Sequence, residues 1–357
     1  MKKHLKNAKE LAKKPFNKIR RRKDDILDNT KVPMITNDTI AEHREAVLSG
    51  ARKYIYPLQH SRHRIIILSS IIFAVTVVVF FAYAILGLYR FQNTSTFMYR
   101  VTQIIPFPVA RVEGQFVSYE NYLFELRHYM HYYETQQKLR FDSEEGQRQL
   151  TEFKKQALDR VVNDAYVKKL ASENGVSISN QEVEQEIAIV REQNRLGTSD
   201  QVFGDVLRDF WGWSVNDFKR SLRQQLLSRK VAGSIDTDSR QQAEAALLEI
   251  KNGETFEKVA EKYSQDEATK SEGGEYLEVI DQSNRDIPAK LTDAIFALKE
   301  GQYSEIIDTG YALEIVKVVS FEGDKAKAAH IQFNFKDVSE YVGPRRESKP
   351  PKQFLKL

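Results

Sequence analysis

Apolar positions are spread unevenly along this chain. Residues 65 to 89, IIILSSIIFAVTVVVFFAYAILGLY, run for twenty-five positions without a charge. At 1.5 Å per residue they make ~37 Å of helix, enough to cross a hydrocarbon core of roughly 30 Å with some tilt. A buried core helix is shorter than this, and so is the apolar centre of a cleavable signal peptide. A long basic segment precedes the run, and RFQNTSTFMYR after it has no small-x-small cleavage site, so an uncleaved single-pass anchor is expected.

From 109 to 235 the periodicity is helical almost throughout. A short strand-like piece, VARV, and a turn at Glu113-Gly114 lead into a helix carrying Tyr122, Leu123, Leu126 and Met130. Leu158, Val161, Val162, Ala165 and Tyr166 form the stripe of a second helix, with Gly175 as its C-cap. A third opens with Ser179 and Glu182 spaced as a capping box, and a fourth sets Phe218, Leu222 and Leu226 four residues apart. No acid, base or nucleophile cluster recurs on these stripes, so such helices pack together or grip something apolar.

The pattern changes at 236. Helices are expected over DSRQQAEAALLEIKNG, TFEKVAEKYSQD and LTDAIFALKEG, with a loop into a strand at SEGGEYLEVI. ALEIVKVVSF and KAAHIQFNF are β-branched and aromatic-rich, alternate in polarity, and are separated by EGDKA, which signals a hairpin. The fold class is α+β, with a small antiparallel sheet in this last part. The expected organisation is a basic tail at 1–64, an anchor at 65–89, a helical domain at 109–235, an α+β domain at 236–337, and a disordered tail at 338–357, which is basic and proline-containing.

Charge orients the anchor. Arg52, Lys53, Arg62 and Arg64 stand before the apolar run, against Arg90 and Arg100 after it, so the amino end is expected in the cytoplasm and the later domains outside the cell membrane. The run KIRRRK at 18–23 suits a solvated topology-setting tail, or binding to anionic headgroups or nucleic acid; no interleaved aromatics favour a base-stacking surface. The chain has no cysteine, which excludes disulfides, thiol nucleophiles and thiolate metal sites. His128 and His131 could share one helix face as metal ligands, but no third ligand lies nearby, and no metal is expected.

GETFEKVAEKYSQD followed by GG, then AIFALKEGQYSEIIDT and a strand ending EIVKV, resembles the parvulin (PpiC-like) family of peptidyl-prolyl isomerases over about 241–318. VARVEGQFVSYENYLFEL through LLSRKVAGSI is similar to the helical chaperone domain of SurA- and PrsA-type foldases, and the anchored layout to PpiD-type members of that group. Parvulins begin with a strand reading HIL, and VAGSIDTDSR contains nothing like it. In the family fold the first and last strands are antiparallel neighbours, so a hairpin after the last strand could deliver AAHIQF to the same slot, in effect a circular permutation. The competing reading is that 326–335 begins a second, truncated repeat.

The resemblance also implies chemistry. Isomerisation about an X–Pro bond faces a barrier of ~20 kcal/mol and needs no nucleophile or cofactor, only an apolar, desolvating site that favours the twisted bond. Asp266 falls on the family's Cys/Asp position, Thr309 on its threonine, and His330 would supply the first histidine. The second histidine is replaced by Glu314, and the Met and Phe of the proline pocket by Ile287 and Leu291. Two carboxylates in one small site would raise one pKa or pull His330 toward its protonated form. Each residue also has a plain structural reading: Asp266 as a turn cap, Thr309 as a strand-entry residue, Glu314 and His330 as surface positions on strands.

The expected function is that of a membrane-anchored foldase that binds unfolded or proline-containing polypeptides as they leave the translocon and isomerises X–Pro bonds. A non-catalytic holdase, with the parvulin-like domain as a peptide-binding module, is the rival from a different class.

Overall fold

The computed structural model describes residues 36–357 apart from Tyr56, Arg195, Gly197, Thr198 and Arg285. The KIRRRK run therefore lies outside the described residues. Residues Met1–Phe81 and Ala82–Leu357 form two compact units.

The first unit contributes helix α1 (Asn37–Ile55) and most of helix α2 (Pro57–Ile85). Ile65, Ile66, Ile67, Leu68, Ile71, Ile72 and Phe73 are all more than half exposed. Exposed in this way among the described residues, a helix apolar on every side has the surface that lipid accommodates. Among the described residues, the stretch Arg64–Arg90 is the one helix long and apolar enough to cross a membrane.

The second unit opens with a π-helical turn at Leu86–Arg90 and helix α3 (Thr96–Ile104), capped by Ser95 accepting from the Met98 N–H. Strands β1 (Pro108–Val112) and β2 (Gln115–Ser118) form a hairpin through Glu113 and Gly114, both at positive φ as a twisted two-residue turn requires. Helices α4 (Tyr119–Thr135), α5 (Glu144–Glu173), α6 (Asn180–Gln193), α7 (Asp200–Trp211) and α8 (Val215–Ile235) follow. The Ser179–Glu182 capping box is formed at the start of α6, and Gly175 takes φ +65° after α5. Val183, Ile187, Phe203, Leu207 and Leu222 make the core between α6, α7 and α8.

Asp236 is the last residue before a second set of elements. Its buried carboxylate caps helix α9 (Thr237–Lys251) and accepts from the Lys336 N–H at 2.8 Å, so the points where the chain enters and leaves this second part are tied together. Helix α10 (Phe256–Tyr263), strand β3 (Ile280–Asp281), helix α11 (Ala289–Ala297), and strands β4 (Ile307–Asp308), β5 (Ala312–Glu322) and β6 (Lys325–Asn334) complete it. The sheet is antiparallel, in the order β3-β6-β5-β4. The β5–β6 hairpin turns at Gly323, φ +68°.

Alternation along the hairpin sorts its two faces. Leu313, Ile315, Ala329, Ile331 and Phe333 pack on Ala243, Leu247, Phe256 and Val259 of α9 and α10. Each large side chain buried there contributes ~1.5–3 kcal/mol before conformational entropy is charged against it. Val316, Val318, Ala326 and Ala328 face the other way, onto Ile280, Leu291 and Ile295. By the same two-residue period, Glu314 and His330 lie on this second face.

The carboxyl-terminal stretch corrects an expectation. Residues 338–357 are not a disordered tail: helix α12 (Ser339–Ser348) packs on α5, and strand β7 (Lys352–Gln353) pairs with the free edge of β1, completing the sheet β2-β1-β7. The basic charge that reads as solvating is spent on partners. Arg345 bonds Glu113 and, at 2.6 Å, Glu173, while Arg346 reaches Asp159 at 2.7 Å. Val342 and Leu355 of this stretch are buried.

Candidate functional site

Three chain segments bring polar groups to one point on the second face of the sheet. His330 comes from β6, where it pairs in register with Val316; Glu314 comes from β5, opposite Gln332. Residues two apart along a strand share a face, so the imidazole and the carboxylate are diagonal neighbours. Asp266 comes from the loop after α10, which lies against β6 through Gln265 N–H to Gln332 O at 2.8 Å and Gln332 N–H to Ser264 Oγ at 3.3 Å.

The imidazole is held at both nitrogens. Nδ1 lies 2.8 Å from Glu314 Oε2 and Nε2 lies 2.9 Å from Asp266 Oδ2. Thr269 donates to Asp266 Oδ2 at 2.6 Å, and its hydroxyl oxygen is 3.1 Å from His330 Nε2. His330 and Glu314 are each 4 % exposed, whereas Asp266 keeps 24 % of its side chain open and forms the outer rim of the group. The ring of Tyr276 stacks on the imidazole at 4.4 Å and 22°.

This geometry selects a protonation state. A neutral imidazole has one N–H and could satisfy one carboxylate; the imidazolium donates to both. Burial pulls the pKa of His330 down, but its hydrogen bonds and charge attraction with Glu314 and then Asp266 outweigh that and raise it above the ordinary histidine value. For Asp266, burial pushes upward and is outweighed by bonds from Thr269, His330 and the Ala268 N–H, so its carboxyl is held below the usual range. Burial, and then the nearby Glu314 and Asp266 charges, push the Tyr276 phenol up, keeping it neutral.

A glycine permits the approach. The His330 N–H donates to Gly274 O at 2.8 Å and the Tyr276 N–H to Ala328 O at 3.0 Å, so 274–276 lies along β6 through a single antiparallel bridge at Glu275 and Ala329. A Cβ on Gly274 would stand 2.2 Å from the His330 carbonyl oxygen, and its φ is +82°.

The sequence-derived candidates divide here. Asp266, His330 and Glu314 are brought together, and neither strand residue is at the surface. Asp266 also caps its loop through the Ala268 N–H at 3.1 Å, so its structural and polar roles coexist. Thr309 bonds within its own turn and not to the imidazole group: its hydroxyl donates to Ala312 O at 3.0 Å and accepts from the Ala312 N–H at 3.1 Å, as a turn residue before β5 does. Leu291 is 1 % exposed inside the sheet core, and Ile287 is half-buried at its edge. Thr269 and Tyr276 were not singled out from the sequence; their proximity to YSQD and GG is the only signal they carry. His128 and His131 serve packing, His128 stacking on Trp213 at 4.2 Å and His131 lying 3.3 Å from Asp209 O.

Two family models match along the chain. Residues 58–232 match the SurA-like N-terminal domain, and residues 229–320 match the PPIC-type PPIASE domain. The chain carries a parvulin-type domain behind a SurA-like one. YacD of Bacillus subtilis, provisionally named as a peptidyl-prolyl cis-trans isomerase, is 24% identical over 49% of this chain and 68% of its own. The foldase protein PrsA of Pediococcus pentosaceus is 28% identical over 30% of this chain and 33% of its own, so the match spans about a third of that relative. A crystal structure of foldase protein PrsA from Streptococcus pneumoniae is 20% identical, covering 54% of this chain and 74% of that one, with a TM-score of 0.18.

The parvulin-type match ends inside β5 and leaves β6, with His330, beyond it. At the other end of the domain α8 runs to Ile235 and α9 starts at Thr237, so helix occupies the stretch where the family pattern has its first strand. The imidazole of this site is thus supplied by the strand that follows the matched region.

Proposed function

We propose that this protein is a membrane-anchored extracytoplasmic foldase that binds unfolded polypeptides and isomerises their X–Pro bonds at the His330 site. The apolar helix crosses the cell membrane once, with the amino end in the cytoplasm, and the SurA-like and parvulin-type domains meet clients leaving the translocon. In domain terms this is a tail at 1–64, an anchor at 65–89, a helical domain at 109–235 completed by the carboxyl-terminal residues, and a parvulin-type domain at 236–337. Strand β6 stands in for the missing first strand, which favours permutation over a second repeat.

The observation that carries the reading is the Asp266–His330–Glu314 chain of hydrogen bonds inside a parvulin-type domain. Planarity of the imide comes from resonance that places negative charge on the carbonyl oxygen, and the twisted state gives that charge up. A site that strips water from the imide removes the solvation that favours the planar form. In this chain, Ile287 supplies apolar surface at the edge of the site, and Leu291 supports it from the core. The two carboxylates lock the imidazole, so the polar floor needs no reorganisation when a client enters.

A holdase reading draws on one observation of its own: His330 is 4 % exposed beneath Tyr276, so its ring is covered where a catalytic floor has to be reached. Measuring cis-to-trans conversion of short X–Pro peptides by the full-length protein in detergent separates the two. Acceleration that falls tenfold or more in both Asp266→Asn and His330→Asn, with near-UV circular dichroism unchanged, supports catalysis. Suppressed aggregation of an unfolded client without acceleration shows a holdase.

A further inference from the structure

The last turns of the apolar run belong to the second unit. Ala84, Gly87 and Leu88 are buried in the unit that begins at Ala82, with Met98 packed against Gly87 and the Tyr119 hydroxyl donating to Leu88 O at 2.6 Å. Tyr83, Leu86 and Arg90, spaced to share the opposite side, are exposed. Beyond them α3 is fastened down: Arg127 donates to Thr94 O at 2.8 Å and Thr96 Oγ1 at 3.2 Å, while Met98, Val101 and Thr102 face inward.

The outward face of α3 is unusual for a surface bathed in water. Phe97, Arg100 and Ile104, at i, i+3 and i+7, form one stripe, with Phe97 56% and Ile104 83% exposed, and Phe91 just ahead is 75% exposed. Scattered apolar residues at a surface need no explanation, but these lie within fourteen residues of the end of a membrane-length helix, interleaved with arginines. Aromatic rings and arginines at that distance match the headgroup layer of a bilayer, where apolar side chains reach the acyl boundary and guanidinium groups meet phosphate.

We infer that residues 82–104 form a membrane-seated foot. Phe91, Phe97 and Ile104 insert at the outer headgroup boundary, Arg90 and Arg100 contact lipid phosphates, and the folded unit rests on the bilayer surface. The inference builds on the single-pass reading above. It commits to lipid because the patch is continuous with the helix that reading places in the membrane, and because the end of that helix is built into the same fold. A foot of this kind holds the SurA-like domain beside the membrane, where emerging clients first appear.

The chain has no cysteine, so single nitroxide labels can be placed in the full-length protein, reconstituted in phosphatidylcholine vesicles containing phosphatidylglycerol. Labels at Phe97→Cys and Ile104→Cys are compared with Val75→Cys inside the apolar run and Lys299→Cys on the exposed surface of the parvulin-type domain, reading accessibility to oxygen and to a water-soluble nickel chelate. The expected result is an oxygen-to-nickel ratio highest at 75, several-fold above that of 299 at 97 and 104, and lowest at 299. Ratios at 97 and 104 equal to that at 299, with 75 in lipid, overturn the foot while leaving the anchor intact. Spin–spin broadening at 97 and 104 without oxygen access overturns it in favour of contact between two copies. A label at 75 that is open to water removes the anchor and the foot together.

Discussion

Glu314 and His330 sit on adjacent antiparallel strands, two positions out of register, and their side chains meet at 2.8 Å on a face where each is 4 % exposed. The carboxylate that stands at the family's second-histidine position is therefore the group that holds the imidazole. Of the two outcomes open to a second carboxylate beside Asp266, the geometry favours the one in which His330 is pulled toward its protonated form.

Glu314→Gln removes that charge and keeps the shape. His330 then loses its strongest upward influence while burial still pulls its pKa down, so it titrates at lower pH than in the native protein. Proton NMR of the His330 ring across a pH series reads this directly; an unchanged midpoint would mean that Asp266 alone sets the ionisation.

The same ion group ties stability to pH. Because the folded pKa of His330 is raised, its contribution is fully present below the unfolded value of about 6.5 and fades as pH rises through the folded value. Asp266, held low, contributes above about pH 3.9 and loses that as pH falls through its folded pKa. Denaturant unfolding of native protein against His330→Gln should therefore show the largest gap between about pH 4 and 6.5, narrowing toward alkaline pH. A gap that widened with pH would contradict the charged imidazole.

Two threonines separate the expected site from the observed one. Thr269→Val removes a hydroxyl bonded to Asp266 and beside His330, and should lower kcat/KM for X–Pro peptides about fivefold, the scale of one hydrogen bond of ~1 kcal/mol. Thr309→Val should leave kcat/KM near the native value and cost about 1 kcal/mol of stability through its lost turn bonds. Parallel peptide-isomerisation and urea-unfolding measurements resolve the two effects, and the reverse pattern would restore Thr309 to the site.

Removing residues 338–357 tests the ordered carboxyl terminus. A disordered tail would be dispensable, whereas loss of Arg345 strands the Glu113 carboxylate, which that guanidinium holds at a pKa of about 2. The truncated protein should lose protection from limited proteolysis in β1, β2 and α5 ahead of the β5–β6 hairpin. Arg345→Ala alone should cost about 1.5–3 kcal/mol, as expected for hydrogen bonds to a charged group, measured by urea unfolding.

Much of this molecule was legible along the chain. The helices around Leu158–Tyr166 and Phe218–Leu226, the Ser179 capping box, the Glu113-Gly114 turn and the β5–β6 hairpin rest on local periodicity and turn chemistry. Those signals act between residues a few positions apart, and the expected elements formed. The approach of Asp266 and Glu314 to His330 was also accessible, because a family pattern supplies long-range proximity that spacing does not.

The sequence by itself determined the elements, the alternation that buries one side of each strand, and the residue types available to a polar site. Only tertiary structure decided which partners those residues meet. Composition marks GPRRESKPPKQFLKL as solvent-loving, yet Glu113 and Glu173, more than 170 positions earlier, turn its Arg345 into a structural tie. Thr309 matches a motif but spends its hydroxyl on its own turn, while Thr269 reaches the imidazole because Gly274 lets its loop run along β6. Burial and ion pairing are set by what the folded chain brings within about 3 Å, and no local periodicity encodes contacts between segments so far apart.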